Sequence, residues 1–296
     1  MEKLTLSRAR SSRVAILLAG LVLVATVLFT AIPMPAAQYF RFYNILVPGA
    51  SVTEPLGINN AGVIVGAANE EGFLLQNGKF TVIAEPDSDT AAFGINASGQ
   101  VVGYYDANSG SDNPQGFLYS GGTFTTINVP GAFLTEASGI NDSGTIVGTY
   151  RDENSNSGNQ QGFLYSGGTF TTLNFPGAVS TYPWGINNAG RVVGFYFDAS
   201  GVSHAFMYST GFFANLTGPG CKNSLAYGIN NSGSIVGTCN NGSQAFVYSY
   251  ISHSFIFFTY PGYYTVPLAI NDNGRVVGYY VVNFDAYNGF LAVPLQ

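Results

Sequence analysis

A six-bladed β-propeller of four-stranded antiparallel blades, closed by its own N-terminal strand, is the fold predicted by three observations. The pattern Ile-Asn-x-x-Gly-x-(Ile/Val)-Val-Gly occurs six times, from Ile58, Ile95, Ile140, Ile186, Ile229 and Ile270. A period in the forties with several short strands per unit marks a propeller blade. The composition agrees: of 296 residues 46% are hydrophobic and 15% aromatic but only 9% charged, with 38 glycines, which favours short strands and tight turns over helices. The two ends of the chain are also complementary. The last unit stops at GFLAVPLQ (Gly289–Gln296), one strand short, while FYNILVPGA (Phe42–Ala50) repeats FTTINVPGA (Phe124–Ala132) and FTTLNFPGA (Phe170–Ala178), yet precedes every unit. A closed ring fills one gap with the other and hides both edges, whereas an open solenoid, the competing architecture, has no reason to leave them.

Taken in order, the chain begins with Lys3, Arg8, Arg10 and Arg13 ahead of an uncharged apolar run, Val14–Ile32. This is a targeting segment. The run is longer than a usual signal-peptide core of about 7 to 15 residues and close to the roughly 20 that span a bilayer. Residues 1–37 therefore read either as a signal peptide cut after Ala37 or as an N-terminal membrane anchor, with residues 38–296 exported in both cases. Retained, the anchor would hold the propeller tight against its membrane, with the closure strand at 40–47 starting from the face opposite the variable loops.

The repeat units start near 57, 94, 139, 185, 228 and 269. In each, a first strand ends at Ile-Asn, Asn-x-x-Gly turns it back, and x-(Ile/Val)-Val-Gly is the second strand. A loop leads to a third strand of the type Gly-Phe-Leu-Tyr, and a tight turn such as Ser-Gly-Gly-Thr leads to the fourth. Antiparallel order puts both kinds of turn on one face, the bottom. The loops between second and third strands and the blade connections lie on the other, the top. The Asn-x-x-Gly turn never changes length, whereas the top loops do, so the top is where a scaffold would present binding groups.

The candidate binding residues are accordingly Asp106, Asp152, Asp198 and Asp285 in the top loops, with Tyr182 and Trp184 from a blade connection. Aromatic rings beside carboxylates and amides suit a glycan or a surface protein as partner. Trp184, one place before Gly-Ile-Asn, fits the inter-blade core better than a ligand platform. Asp106-x-Asn108-x-Gly110-x-Asp112 resembles a calcium loop, but no Glu follows at the twelfth position, so a turn-forming loop is the stronger reading and no metal or cofactor is assigned. Four of ten basic residues lie in the leader against one of sixteen acidic ones, leaving the exported part near −9. That argues against nucleic acid and anionic membrane surfaces as partners, and leaves membrane contact to the N-terminal anchor.

Catalysis finds little support. His204 falls at the top and His253 at the bottom, and Arg151 alone of the exported arginines maps to the top, against a sialidase-like arginine cluster. Top-face carboxylates could serve a glycan hydrolase or lyase, but nothing desolvates one of them. The reading preferred is a non-enzymatic exported binding or scaffolding propeller. The alternatives are that glycan-active enzyme and a purely structural envelope protein. Cys221 and Cys239 both fall at the top of one blade, which outside the cytoplasm favours a disulfide over two free thiols.

GVSHAFMY (Gly201–Tyr208), with the related QGF, QAF, NGF and EGF strings of the other units, resembles the HAF-repeat family of bacterial exported proteins. The resemblance covers nearly all of the exported chain, although only the fourth unit keeps the full His-Ala-Phe. It implies export and a repeat fold, and no particular activity.

Overall fold

The computed structural model describes residues 39–106, 113–152, 158–283 and 286–295, and within them it contains strands and turns but no helix. The leader at 1–37 lies outside the described residues. The strands form six four-stranded antiparallel sheets arranged as the blades of a propeller. Blade 1 holds β2 (Thr53–Ile58), β3 (Ile64–Ala68), β4 (Glu71–Gln76) and β5 (Lys79–Ile83). Blade 2 holds β6 (Asp89–Ile95), β7 (Val101–Asp106), β8 (Gln115–Ser120) and β9 (Thr123–Ile127). Blade 3 holds β10 (Ala132–Ile140), β11 (Ile146–Asp152), β12 (Gln161–Ser166) and β13 (Thr169–Thr172). Blade 4 holds β14 (Ser180–Ile186), β15 (Val192–Phe197), β16 (Ser203–Ser209) and β17 (Phe212–Asn215). Blade 5 holds β18 (Ser224–Ile229), β19 (Ser234–Cys239), β20 (Gln244–Ser249) and β21 (Ser254–Phe258). Blade 6 joins β22 (Tyr264–Ile270), β23 (Val276–Asn283) and β24 (Ala286–Pro294) to β1 (Phe40–Ile45), its outer strand. The β1–β24 register runs from Phe40 opposite Pro294 to Ile45 opposite Gly289.

The repeated glycines and phenylalanines explain each other. The Gly that ends Val-Val-Gly stands directly across the sheet from the Phe of the third strand in all six blades, for example Gly103 opposite Phe117 and Gly148 opposite Phe163. A Cβ on Gly148 would lie 2.0 Å from the Glu136 carbonyl oxygen and 2.8 Å from the Phe163 ring. The benzyl group takes the space the missing side chain leaves, and Phe163 is fully buried.

Every innermost strand carries a register shift just before Gly-Ile-Asn, between Pro55 and Gly57 in blade 1 and at the matching place in the other five. The extra residue of each bulge is Leu56, Phe93, Ser138, Trp184, Tyr227 or Leu268, and five of these six belong to one axial core. The following residue is Gly in five blades and Ala269 in the sixth. A Cβ on Gly57, Gly139 or Gly185 would come within 2.6 Å of the next blade's carbonyl oxygen, so in these blades the inner strands approach the next one only because no side chain stands there.

Below this waist the Asn of Ile-Asn-x-x-Gly does two jobs. Its Oδ1 accepts the backbone N–H four residues on, closing its own turn, at 2.8–3.1 Å in all six blades. Its Nδ2 donates to the backbone carbonyl of the corresponding Asn in the next blade, at 3.0–3.2 Å. The last of these bonds runs from Asn271 back to Asn59, so the collar is a closed circle. Asp could close the turn but has no hydrogen to pass on. On the top side, a Thr at the start of the inner strand accepts the N–H of the preceding blade connection in five places, as Phe175 N to Thr181 Oγ1.

Candidate binding face

Strand direction puts the blade connections and second-to-third-strand loops together on the top face. The described loops there are shorter than the spacing of glycines predicts, because the second and third strands run on past Gly. Tyr150, Tyr196 and Tyr280 are therefore strand residues buried between blades, while Tyr104, also a strand residue, turns to the axial core beside Phe93. Tyr196 stacks on Phe175 with centroids 3.8 Å apart and planes at 11°, and Tyr280 stacks on Tyr260 in the same way at 3.9 Å. Their rings seal the joints between blades, and the hydroxyl of Tyr196 reaches out to Asn215.

The six candidate residues fall in different environments. Asp106 ends β7, 5% exposed, opposite Asp89 in the β6–β7 register. Asp152 ends β11 and accepts a 2.7 Å hydrogen bond from Gln161 Nε2. Asp198 caps its own turn by accepting the N–H groups of Ser200 and Val202, and its second oxygen lies 2.8 Å from His204 Nε2. The His204 bond first, then the Val202 N–H, hold this carboxyl below the usual range. Asp285, like Asn108 and Asp112 of the calcium-like string, lies outside the described residues. Tyr182 and Trp184 are 8% exposed and sit in the axial core, where Trp184 meets Phe93 and Tyr227 edge to face at 5.5 and 5.4 Å. The structure thus gathers neither these two aromatics nor the three described aspartates into one pocket.

Two carboxylates outside the repeated motifs occupy an inward-facing strand position. Counting back four residues from the Ile of each Ile-Asn gives Glu54, Ala91, Glu136, Tyr182, Leu225 and Val266. The four uncharged members all belong to the axial core, so this position faces inward, two residues before the bulge residue of each inner strand. Glu54 is 1% and Glu136 7% exposed. They flank Ala91, the smallest member of the set. Burial first, and then Glu54, hold the Tyr279 hydroxyl well above its ordinary range, while Glu136 adds to the effect of burial at Tyr182. Burial also pushes Tyr264 up to about 12. Aligning the units on Gly-Ile-Asn is the signal that exposes this pair.

The space along the axis is narrow. The space at the level of the inner glycines is about 80 Å³, and the mouth beneath it, ringed by the Asn collar, is also about 80 Å³. Ligand sites run to several hundred Å³, so a sugar could approach the acids only from the top. Among the described residues no group of three or more His, Cys, Asp or Glu side chains is placed to hold a metal ion. Cys221 and Cys239 are bonded, Cα atoms 5.4 Å apart, and tie the connection entering blade 5 to the end of β19.

No protein-family model matches the sequence, and neither does any curated protein. Solved propellers do resemble the structure. Virginiamycin B lyase from Staphylococcus aureus aligns over 87% of this chain and 89% of its own, with TM-score 0.51 and 13% identity. Regucalcin, a calcium-binding protein from Agrobacterium tumefaciens, aligns over 85% and 93% with TM-score 0.53 and 15% identity. The PQQ-bound aldose sugar dehydrogenase from Streptomyces coelicolor aligns over 87% and 99% with TM-score 0.51 and 11% identity. The chain is a six-bladed β-propeller, a class whose members include enzymes and binding proteins alike.

Proposed function

We propose that the chain is an exported, non-enzymatic binding propeller that presents its top face to a neutral or amine-bearing glycan of the cell surface. The observation that carries this reading is the contrast between the faces. Around the axis the bottom repeats one collar of hydrogen bonds in all six blades, while the top varies in loop length, tyrosines and carboxylates from blade to blade. Ten of the twelve acidic groups among the described residues lie on that top, which suits hydroxyl and ammonium donors and repels uronic acids, sulfates and phosphates. The HAF-repeat resemblance supports export. Glycan-array binding of the purified protein tests the proposal. Asp152→Ala and Asp198→Ala should each weaken a detected interaction at least about tenfold, roughly 1.4 kcal/mol, with Lys79→Ala on the bottom leaving it unchanged. Binding only to surface proteins, or insensitivity to all three changes, would overturn it.

A second reading rests on the buried pair Glu54 and Glu136, since two inward carboxylates are the minimum for glycoside cleavage. It requires turnover that collapses in both Glu54→Gln and Glu136→Gln while binding persists.

A further inference from the structure

The charge and the apolar surface of this propeller are sorted by face. Among the described residues the bottom carries Arg41, Lys79, Arg191 and Arg275 against only Asp142 and Asp272, whereas the top carries Arg151 and Lys222 against all the remaining acids. The overall negative charge, which by itself argues against an anionic surface, is therefore a property of the top alone. The two most exposed large apolar side chains, Phe212 (79%) and Ile251 (77%), also lie at the bottom, at the tips of the third-to-fourth-strand turns of blades 4 and 5. Blades 2 and 3 carry Thr123 and Thr169 at the place of Phe212. Next round the ring, blade 6 ends at the bottom in Tyr39 and Leu295, each 45% exposed and joined by the Leu295 N–H to the Tyr39 carbonyl. The other exposed apolar groups are scattered over outer strands and the top.

These features share one sector. Tyr39 is where the described chain begins, and the apolar run Val14–Ile32 precedes it by only a few residues. We propose that the bottom rim of blades 4 to 6 rests in the surface of a lipid bilayer, with Phe212, Ile251, Tyr39 and Leu295 set among headgroups and acyl ends and Arg41 and Arg191 facing lipid phosphate. Aromatic and aliphatic tips with flanking arginines are the side chains the interface accepts. The bilayer is favoured over a protein partner because the chain leading to this rim is itself apolar and long enough to enter one. The propeller is thereby held upright, and the top faces away from the membrane. This goes beyond the glycan proposal and does not depend on it.

The test uses the full chain reconstituted with vesicles of phosphatidylcholine and phosphatidylglycerol. Single tryptophans are introduced as Phe212→Trp, Ile251→Trp, Thr123→Trp on the opposite bottom rim and Val179→Trp on the top, against the constant signal of buried Trp184. Lipids brominated on the acyl chain should quench positions 212 and 251 at least about twofold more than 123, and leave 179 unaffected. Equal quenching at 212, 251 and 179 would overturn the proposal. If the leader is removed in the mature protein, that form should still float with the vesicles, and Phe212→Asp with Ile251→Asp should release it about tenfold. Flotation unchanged by those two substitutions would overturn it as well.

Discussion

At the scale of single residues, the Asn of Ile-Asn-x-x-Gly carries more than its turn. Each is 3–7% exposed and makes its bond to the next blade where water cannot replace it. Asn187→Asp should keep the bond from Arg191 N–H but lose the donor to the Asn230 carbonyl, lowering stability by roughly 1–3 kcal/mol in denaturant melts. A second circle lies outside the first. There the residue after each Asn donates its backbone N–H to the side chain of its counterpart in the next blade, at 2.8–3.0 Å in five blades. The sixth link is missing because blade 2 has Ala97. Ala97→Asn should supply an acceptor for the Asn60 N–H and add about 0.5–1.5 kcal/mol. Asp272 gives this circle a pH dependence. Burial alone would raise its carboxyl, but the donors from Asn231 and Asn60 outweigh burial and hold it below the usual range. A depressed folded value means its stabilisation is complete above the unfolded pKa of about 3.9 and is lost as pH falls through the folded one. Thermal melts between about pH 5 and pH 2 should fall less steeply for Asp272→Asn than for the native protein.

At the scale of the strand and the blade, the Gly–Phe pairs leave no room for a methyl group. Gly148→Ala would press a Cβ against the Glu136 carbonyl, a backbone atom that cannot rotate away, and should cost about 1–3 kcal/mol. Gly144→Ala in the adjacent bottom turn meets nothing within 4 Å, so its penalty would come from its φ of +78° alone. Comparing the two melting temperatures separates crowding from backbone strain. These elements were legible in the sequence because their signals are local and repeat: Asn-x-x-Gly, Val-Val-Gly and Gly-Phe recur six times or nearly so. The axis was not. Leu56, Phe93, Ser138, Trp184, Tyr227 and Leu268 share a place in the bulge but no chemistry, so no pattern marks them. Glu54 and Glu136 were hidden for the same reason, since four of six units put other side chains there. The second strands run longer than the motif suggests, because Gly reads as a strand end when here it is the mid-strand seat for a phenyl ring.

For the whole molecule, the outer strand of blade 6 comes from the far end of the chain. Phe40 packs against Phe258 with centroids 5.0 Å apart, Phe42 against Phe290 and Tyr260, and the Tyr260 hydroxyl donates to Asn44 Oδ1. β1 therefore binds blade 5 as well as β24. Phe40→Ala should cost about 3–5 kcal/mol and lower the single melting transition of the entire ring. A local loss of blade 6 with blades 1 to 5 melting unchanged would contradict the cooperative ring. The pairing of β1 with β24 also imposes an order of events on folding. Synthesis delivers β1 first and β24 last, while each of blades 1 to 5 is made of consecutive residues and can form as its unit is completed. Until the final strand arrives, β1 is an unclaimed edge bearing Phe40 and Phe42, and any neighbouring chain offers it an identical partner. Closure is thus a race between a contact within one chain and an exchange between two. Refolding at rising protein concentration should divert molecules into strand-swapped dimers that dilution alone releases slowly.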